Sequence, residues 1–295
     1  MNRYSRCSIS NQDPKTPEAW AFALLRLWGM NFPVKPEQIA LEYSQQRFKG
    51  DPITAVTAQT IEGFEGALLK SPQHSRWYIL YTPRPTLPGR ESFTIAHELG
   101  HYLQHRKSAD RFECGQEDVL DEDGYRYRQR EKEVNTFASY LLMPMNDFRE
   151  QINGQRISLD LLGHCADRYR VSFIAAALKW LAFTQDIAML VVARDGFALW
   201  SKSSSRAKQK HLLWRSGRAV PEHALISQCL TAGRTGPVVH PPGVWSYYDP
   251  TTEMAIVSDR YDLQVALVLY PDTSTGPNHC EPEPADAYDF YMSKN

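Results

Sequence analysis

The chain has 295 residues, 42% of them hydrophobic and 23% charged, and its 33 Lys and Arg nearly balance its 34 Asp and Glu for a net charge of −1. That length allows two modest domains, and the charge balance excludes a surface built wholly for nucleic acid or an anionic membrane. No apolar run approaches about 18 residues and the N-terminus lacks an apolar signal core, so neither a membrane span nor a secretion signal is expected.

Residues 1–16 are polar. Thr16 and Pro17 then form an N-cap and first-turn pair, which predicts a helix over 17–30, and a second short helix is expected over 36–43. Segments 61–70 and 77–82 read as two antiparallel strands joined by a polar turn at 71–76. A proline-rich stretch, 83–90, leads into a helix over 91–106. Residues 107–128 are a charged connector, whose acidic part (117–123) lacks the pattern of a calcium loop and reads as solvated. Helical periodicity returns over 129–142, with Val134, Phe137, Ala138, Leu141 and Leu142 apolar and Pro144 as the stop. A short helical turn follows at 147–152, then a helix pair at 158–169 and 172–183. Ala175, Ala176 and Ala177 mark that pair for packing, not for reading DNA.

Segments 187–193 and 197–200 read as a hairpin around Asp195-Gly196. Between Gly196 and Pro221 there is no acidic residue, while Lys202, Arg206, Lys208, Lys210, Arg215 and Arg218 all fall there, so 196–220 reads as a basic linker. Beyond it are expected a helix near 222–231, a Pro/Gly-rich loop at 236–243, strands at 254–258 and 264–270, and an acidic, proline-containing tail from 271 to 295. The five cysteines (7, 114, 165, 229 and 280) include no CxxC and read as free thiols in a reducing, cytoplasmic compartment.

The helix over 91–106 contains His97-Glu98-Leu99-Gly100-His101. Histidines four apart project from one face, about 6 Å apart along the axis, within reach of a single ion. Glu98, one residue along, can face an activated water, the arrangement of zinc hydrolases. A catalytic zinc needs a third protein ligand and an open fourth position. His105 lies about 12 Å along a straight helix from His97 and cannot close the same site. The metzincin pattern would require Gly at position 104 and His at 107, where Gln104 and Lys107 stand. An acidic residue on the next helix remains. Glu131 and Asn135 share a face, so Glu131 could bind the ion while Asn135 holds the second nitrogen of a ligand histidine. Glu133 lies about 200° round that helix from Glu131.

Phe93-Thr-Ile-Ala-His-Glu-Leu-Gly-His101, with Glu131-Lys-Glu-Val-Asn135-Thr-Phe-Ala138 and Leu141-Leu-Met-Pro144, resembles the ImmA/IrrE-type metallopeptidases. The likeness runs from about residue 17 to 185, and Val134 departs from the family's usual Ala. The resemblance implies an α+β, zincin-like metallopeptidase core, a small antiparallel sheet with helices, over 1–195, with a helical element at about 156–184. Residues 221–270 would form a smaller α/β region. Carried over residue by residue, it puts one zinc ion (manganese or iron as alternatives) on His97, His101 and Glu131, and the general base on Glu98. It implies a specific protein substrate, typically a helix-turn-helix transcriptional repressor cleaved in a stress, phage or mobile-element response. No direct nucleic-acid or membrane partner is expected. The alternative is a regulatory module that docks on a repressor or toxin without cutting it. Tyr102 and Tyr140 are candidate oxyanion donors, and strand 77–82 is a candidate edge for an extended peptide.

Overall fold

A computed structural model of the chain describes residues 13–60, 63–84, 86–114, 122–228, 233–258 and 263–273, with only the backbone described at 114, 122–126 and 258. The fold is mixed α+β. Two compact units divide it: one takes Met1–Asn153 and Cys165–Ser172, the other Gly154–His164 and Phe173–Asn295.

In the first unit, α1 (Pro17–Trp28) begins as its sequence dictates: Thr16 Oγ1 accepts from the Ala19 amide at 3.2 Å and Pro17 takes the first helical position. After α2 (Pro36–Arg47) come β1 (Ile53–Ala58), β2 (Gly66–Lys70) and β3 (Trp77–Tyr81), then α3 (Pro88–His105), β4 (Arg111–Cys114) and α4 (Glu122–Leu142). β2 and β3 pair antiparallel across the expected turn. β1 and β4 are not among the expected strands, although four of the six residues of β1 are β-branched and favour a strand. β1 runs parallel to β3, and β4 pairs with β2 inside the charged connector, giving the order β1-β3-β2-β4; the sheet is therefore mixed, which corrects the expectation of an antiparallel one. β3 is therefore an interior strand, its hydrogen-bonding groups used on both sides. The expectation that it offers an edge to a peptide is corrected: the edges of this sheet are β1 and β4. Residues 117–121 of the acidic connector lie outside the described residues.

Trp77, Leu68, Leu99, Tyr102 and Phe137 are fully buried where α3 and α4 meet the sheet. Removing each large side chain from water contributes roughly 2–3 kcal/mol. α5 (Met145–Ile152) and the end of α6 (Leu159–Tyr169) are tied together at Asp147, which accepts from Arg168 Nε and Nη2 at 2.9 and 2.8 Å and from the Tyr169 hydroxyl.

The second unit continues with α7 (Phe173–Leu181), β5 (Ile187–Arg194), β6 (Phe197–Ser203), α8 (Ser205–Gln209), α9 (Leu225–Gln228), β7 (Gly233–His240), β8 (Thr251–Ser258) and β9 (Leu263–Tyr270). β5 and β6 form the expected hairpin, with Asp195 and Gly196 at φ 52° and 79°, as a turn matched to strand twist requires. The sheet is antiparallel throughout, in the order β6-β5-β9-β8-β7. Two sequence expectations are corrected here. Residues 196–220 are not a linker: β6 is a strand of the sheet, and Ala207, Leu212, Trp214 and Val220 enter the core. The basic residues mislead because apolar ones alternate with them and turn inward. Nor is 236–240 a loop. β7 pairs with β8 through a bulge between Thr235 and Val238, which absorbs Gly236 and Pro237 at the sheet edge, where a missing N–H is tolerated. The tail beyond residue 273 lies outside the described residues. Among the described residues no helix is long and apolar enough to cross a membrane.

A buried carboxylate organises the packing of α9 and Trp245 on this sheet. Glu253 on β8 is wholly buried, accepts from the Leu225 and Ile226 amides at 2.8 and 2.9 Å and from Trp245 Nε1 at 2.7 Å, and lies 2.8 Å from His240 Nε2. Glu253→Ala would strand those donors at about 1–3 kcal/mol each. The variant is expected to lose about 3 kcal/mol or more of stability, read as a lower urea midpoint.

Candidate metal centre

α3 puts its chemistry inward. His97, Glu98 and His101 are 6%, 0% and 2% exposed. Buried ionisable groups in the interior of a helix need partners, and α4 supplies them. Glu131 Oε2 lies 3.2 Å from His97 Nε2, and its Oε1 lies 3.2 Å from His101 Nε2. One donor atom from each of these three residues falls within a group whose members lie within 4.8 Å of one another. The close approach of the two helices depends on Gly100. A Cβ there would meet Phe137 Cδ1 at 3.0 Å and Val134 Cβ at 3.1 Å, tighter than such contacts normally run.

Around this cluster the structure places the remaining candidates. Asn135 Oδ1 lies 3.0 Å from His97 Nδ1. An amide oxygen only accepts, so His97 Nδ1–H donates to it and Nε2 is the nitrogen that faces Glu131, which favours a proton there when no metal is bound. Glu133 does not join the cluster; its Oε2 is 3.2 Å from His105 Nε2. His105 is buried, with Nδ1 3.3 Å from His101 Nδ1. Phe112 of β4 stacks on the His101 ring, centroids 4.8 Å apart and planes 20° apart. Tyr102 does not face the cluster: its hydroxyl donates to the Asp51 carbonyl at 2.9 Å, deep in the core. Tyr140, nine residues beyond Glu131, falls on the opposite side of α4 and packs on the core. Neither tyrosine is placed as an oxyanion donor.

One residue of the site escapes sequence reading. At Gly66 on β2, an added Cβ would come within 2.8 Å of Glu98 Oε1 and collide with the Thr94 methyl. The Glu98 carboxylate thus lies against a strand that has no side chain at that point. An isolated glycine inside a strand is the usual mark of such a close approach.

Electrostatics couple the three donors. Burial disfavours charged His97, but Glu131 and the hydrogen bond to Asn135 outweigh it and raise its pKa above 6.5. Burial dominates at His101, with help from His97 and His105 against Glu131, and lowers it to about 4. Glu131 is itself disfavoured as an anion by burial, yet the two imidazoles hold it well below the usual carboxylate range. Two imidazole nitrogens and a carboxylate oxygen are a zinc-type donor set. One such donor atom from each residue lies within 4.8 Å of the others, and each imidazole Nε2 has a carboxylate oxygen 3.2 Å away, a different one in each case. The residues fit the ion.

Comparison with known proteins bears on the same segment. Residues 54–181 match the sequence profile of the IrrE N-terminal-like domain, a peptidase family. No curated protein sequence matches the chain. Among solved structures, a Mycobacterium tuberculosis transcriptional regulator is similar, with a TM-score of 0.56 and 15% identity over 86% of this chain and 76% of that one. At that identity the likeness speaks for the fold alone.

Zinc can bind only deprotonated ligands. Between the His101 value of about 4 and the raised value of His97, the free protein carries one proton on the donor set, at His97. Zinc affinity measured by chelator competition should therefore rise about tenfold per pH unit from about pH 5 to 6.5 and level off above the His97 pKa. A slope of two would show that His101 is protonated as well.

Proposed function

Taking residues 54–181 as a domain of ImmA/IrrE type, we propose that the chain is a zinc-dependent endopeptidase with a zincin-like core, its chemistry confined to the first unit. The observation that carries this reading is the convergence of His97, His101 and Glu131 with Glu98 buried beside them. His97, His101 and Glu131 would hold the zinc ion, which would supply Lewis-acid activation of water and of the scissile carbonyl. Glu98 takes the proton as water attacks and returns it to the departing amine. It is held for this task against β2 by the space at Gly66. Asn135 keeps the His97 ring in one orientation. β4 is the sheet edge beside the donors, as the stacking of Phe112 on His101 marks, and an extended substrate would add there as a further strand.

The family resemblance makes the substrate a regulatory protein such as a helix-turn-helix repressor. Compartment follows the same reading: the chain acts in the cytoplasm, where such repressors are.

Glu98→Gln should keep zinc affinity and fold while cleavage falls at least about a hundredfold. The check is mass spectrometry of candidate repressors incubated with the wild-type and variant proteins. If Glu98→Gln retains the full biological effect, the protein acts by docking on its partner and the peptidase reading is lost.

A further inference from the structure

The two ligand histidines are steadied in different ways. His97 rests on an amide, with Asn135 Oδ1 at 3.0 Å. His101 faces another imidazole: His105 Nδ1, one turn along α3, lies 3.3 Å from His101 Nδ1. From His105 the chain of contacts runs on. Its Nε2 lies 3.2 Å from Glu133 Oε2, and the other oxygen of Glu133 accepts from Gln129 Nε2 at 3.0 Å. Phe112 lies against both rings, centroids 4.8 Å from His101 and 6.3 Å from His105.

Donor and acceptor chemistry gives this chain a direction. A carboxylate only accepts, so the proton between His105 and Glu133 belongs to His105 Nε2. A neutral imidazole protonated there has a lone pair at Nδ1, and that lone pair can accept a hydrogen bond from the N–H at His101 Nδ1. His101 then keeps its lone pair at Nε2; without a metal, Glu131 Oε1 at 3.2 Å draws a proton to that nitrogen, and the His105–Glu133 pair opposes this by favouring the proton at Nδ1. The opposite direction would put the His101 proton on Nε2 and close that nitrogen to a metal. Both nitrogens of His105 are engaged in the chain, so it serves no ligand role of its own.

We propose that His105 is a positioning residue that, anchored by Glu133, locks His101 in the tautomer whose Nε2 can hold a metal ion. The inference rests on the metal reading above and deepens it. A histidine buried merely to fill space would affect stability and leave metal affinity alone; a tautomer lock affects affinity through a specific acceptor.

The test uses the full-length protein, stripped of metal and titrated with zinc against a chromophoric chelator, with urea midpoints of the metal-free forms recorded in parallel. The wild type should bind one zinc. His105→Ala should bind about 10- to 100-fold more weakly, and Glu133→Ala should weaken binding in the same direction by a smaller factor. His105→Gln, whose side-chain carbonyl can accept from His101 Nδ1, should recover most of the loss. Should His105→Ala fail to fold, Glu133→Ala on the more exposed face of α4 decides the matter. Zinc affinity within about twofold of wild type in both alanine variants, or a His105→Gln variant that recovers the urea midpoint but not the affinity, overturns the proposal and leaves the metal reading standing. A wild type that binds no zinc overturns both.

Discussion

One carboxylate between two imidazoles fixes the geometry of the first unit. Glu131 reaches His97 and His101 with separate oxygens at equal distances. All three groups are largely withdrawn from water, where each would be costly alone. Mutual attraction offsets that cost, which is why the carboxyl stays ionised and His97 holds its proton more tightly than a free imidazole. Two imidazole nitrogens and a carboxylate brought this close are also donor types that a divalent cation takes. The interior of this domain is thus organised around a charge cluster as much as around its apolar core.

The cluster also explains features that look unrelated in the sequence. Gly100 and Gly66 are both positions where a side chain is missing so that something else can approach. At Gly100 it is the second helix, carrying Val134 and Phe137. At Gly66 it is the Glu98 carboxylate. Two kinds of close packing, helix on helix and side chain on strand, converge within one turn of α3. Val134, the one departure from the family pattern noted in the motif, sits fully buried against that glycine.

Much of this was legible from the residues. The spacing of His97 and His101 and the shared face of Glu131 and Asn135 depend only on helical periodicity, which is why their positions could be read. β2, β3 and the β5–β6 hairpin carried alternation and turn chemistry. What escaped was set by pairing over distance. β1 carries four β-branched residues among its six (Ile53, Thr54, Val56 and Thr57), a strand signal in itself; what the sequence does not state is its parallel pairing with β3. β4 is four residues long and lies among charges. β7 contains a Gly-Pro step that reads as a loop and is carried by a bulge. Cationic density over 196–220 obscured the alternate positions that are buried. His105 could be excluded as a ligand, but no sequence pattern says that the ring beside it needs a partner; only the packing of α4 against α3 supplies Glu133.

Because the separation of α3 and α4 is set by a bare Cα at Gly100, the donor atoms alone do not define the centre. Grafting two histidines and a glutamate onto another helical pair at matching positions would leave the carboxylate short wherever a methyl or larger group keeps the backbones apart. The transferable unit is the pair of helix faces, with the glycine and the Val134–Phe137 seat that receives it; an engineer who copied only the three side chains would reproduce the inventory without the reach.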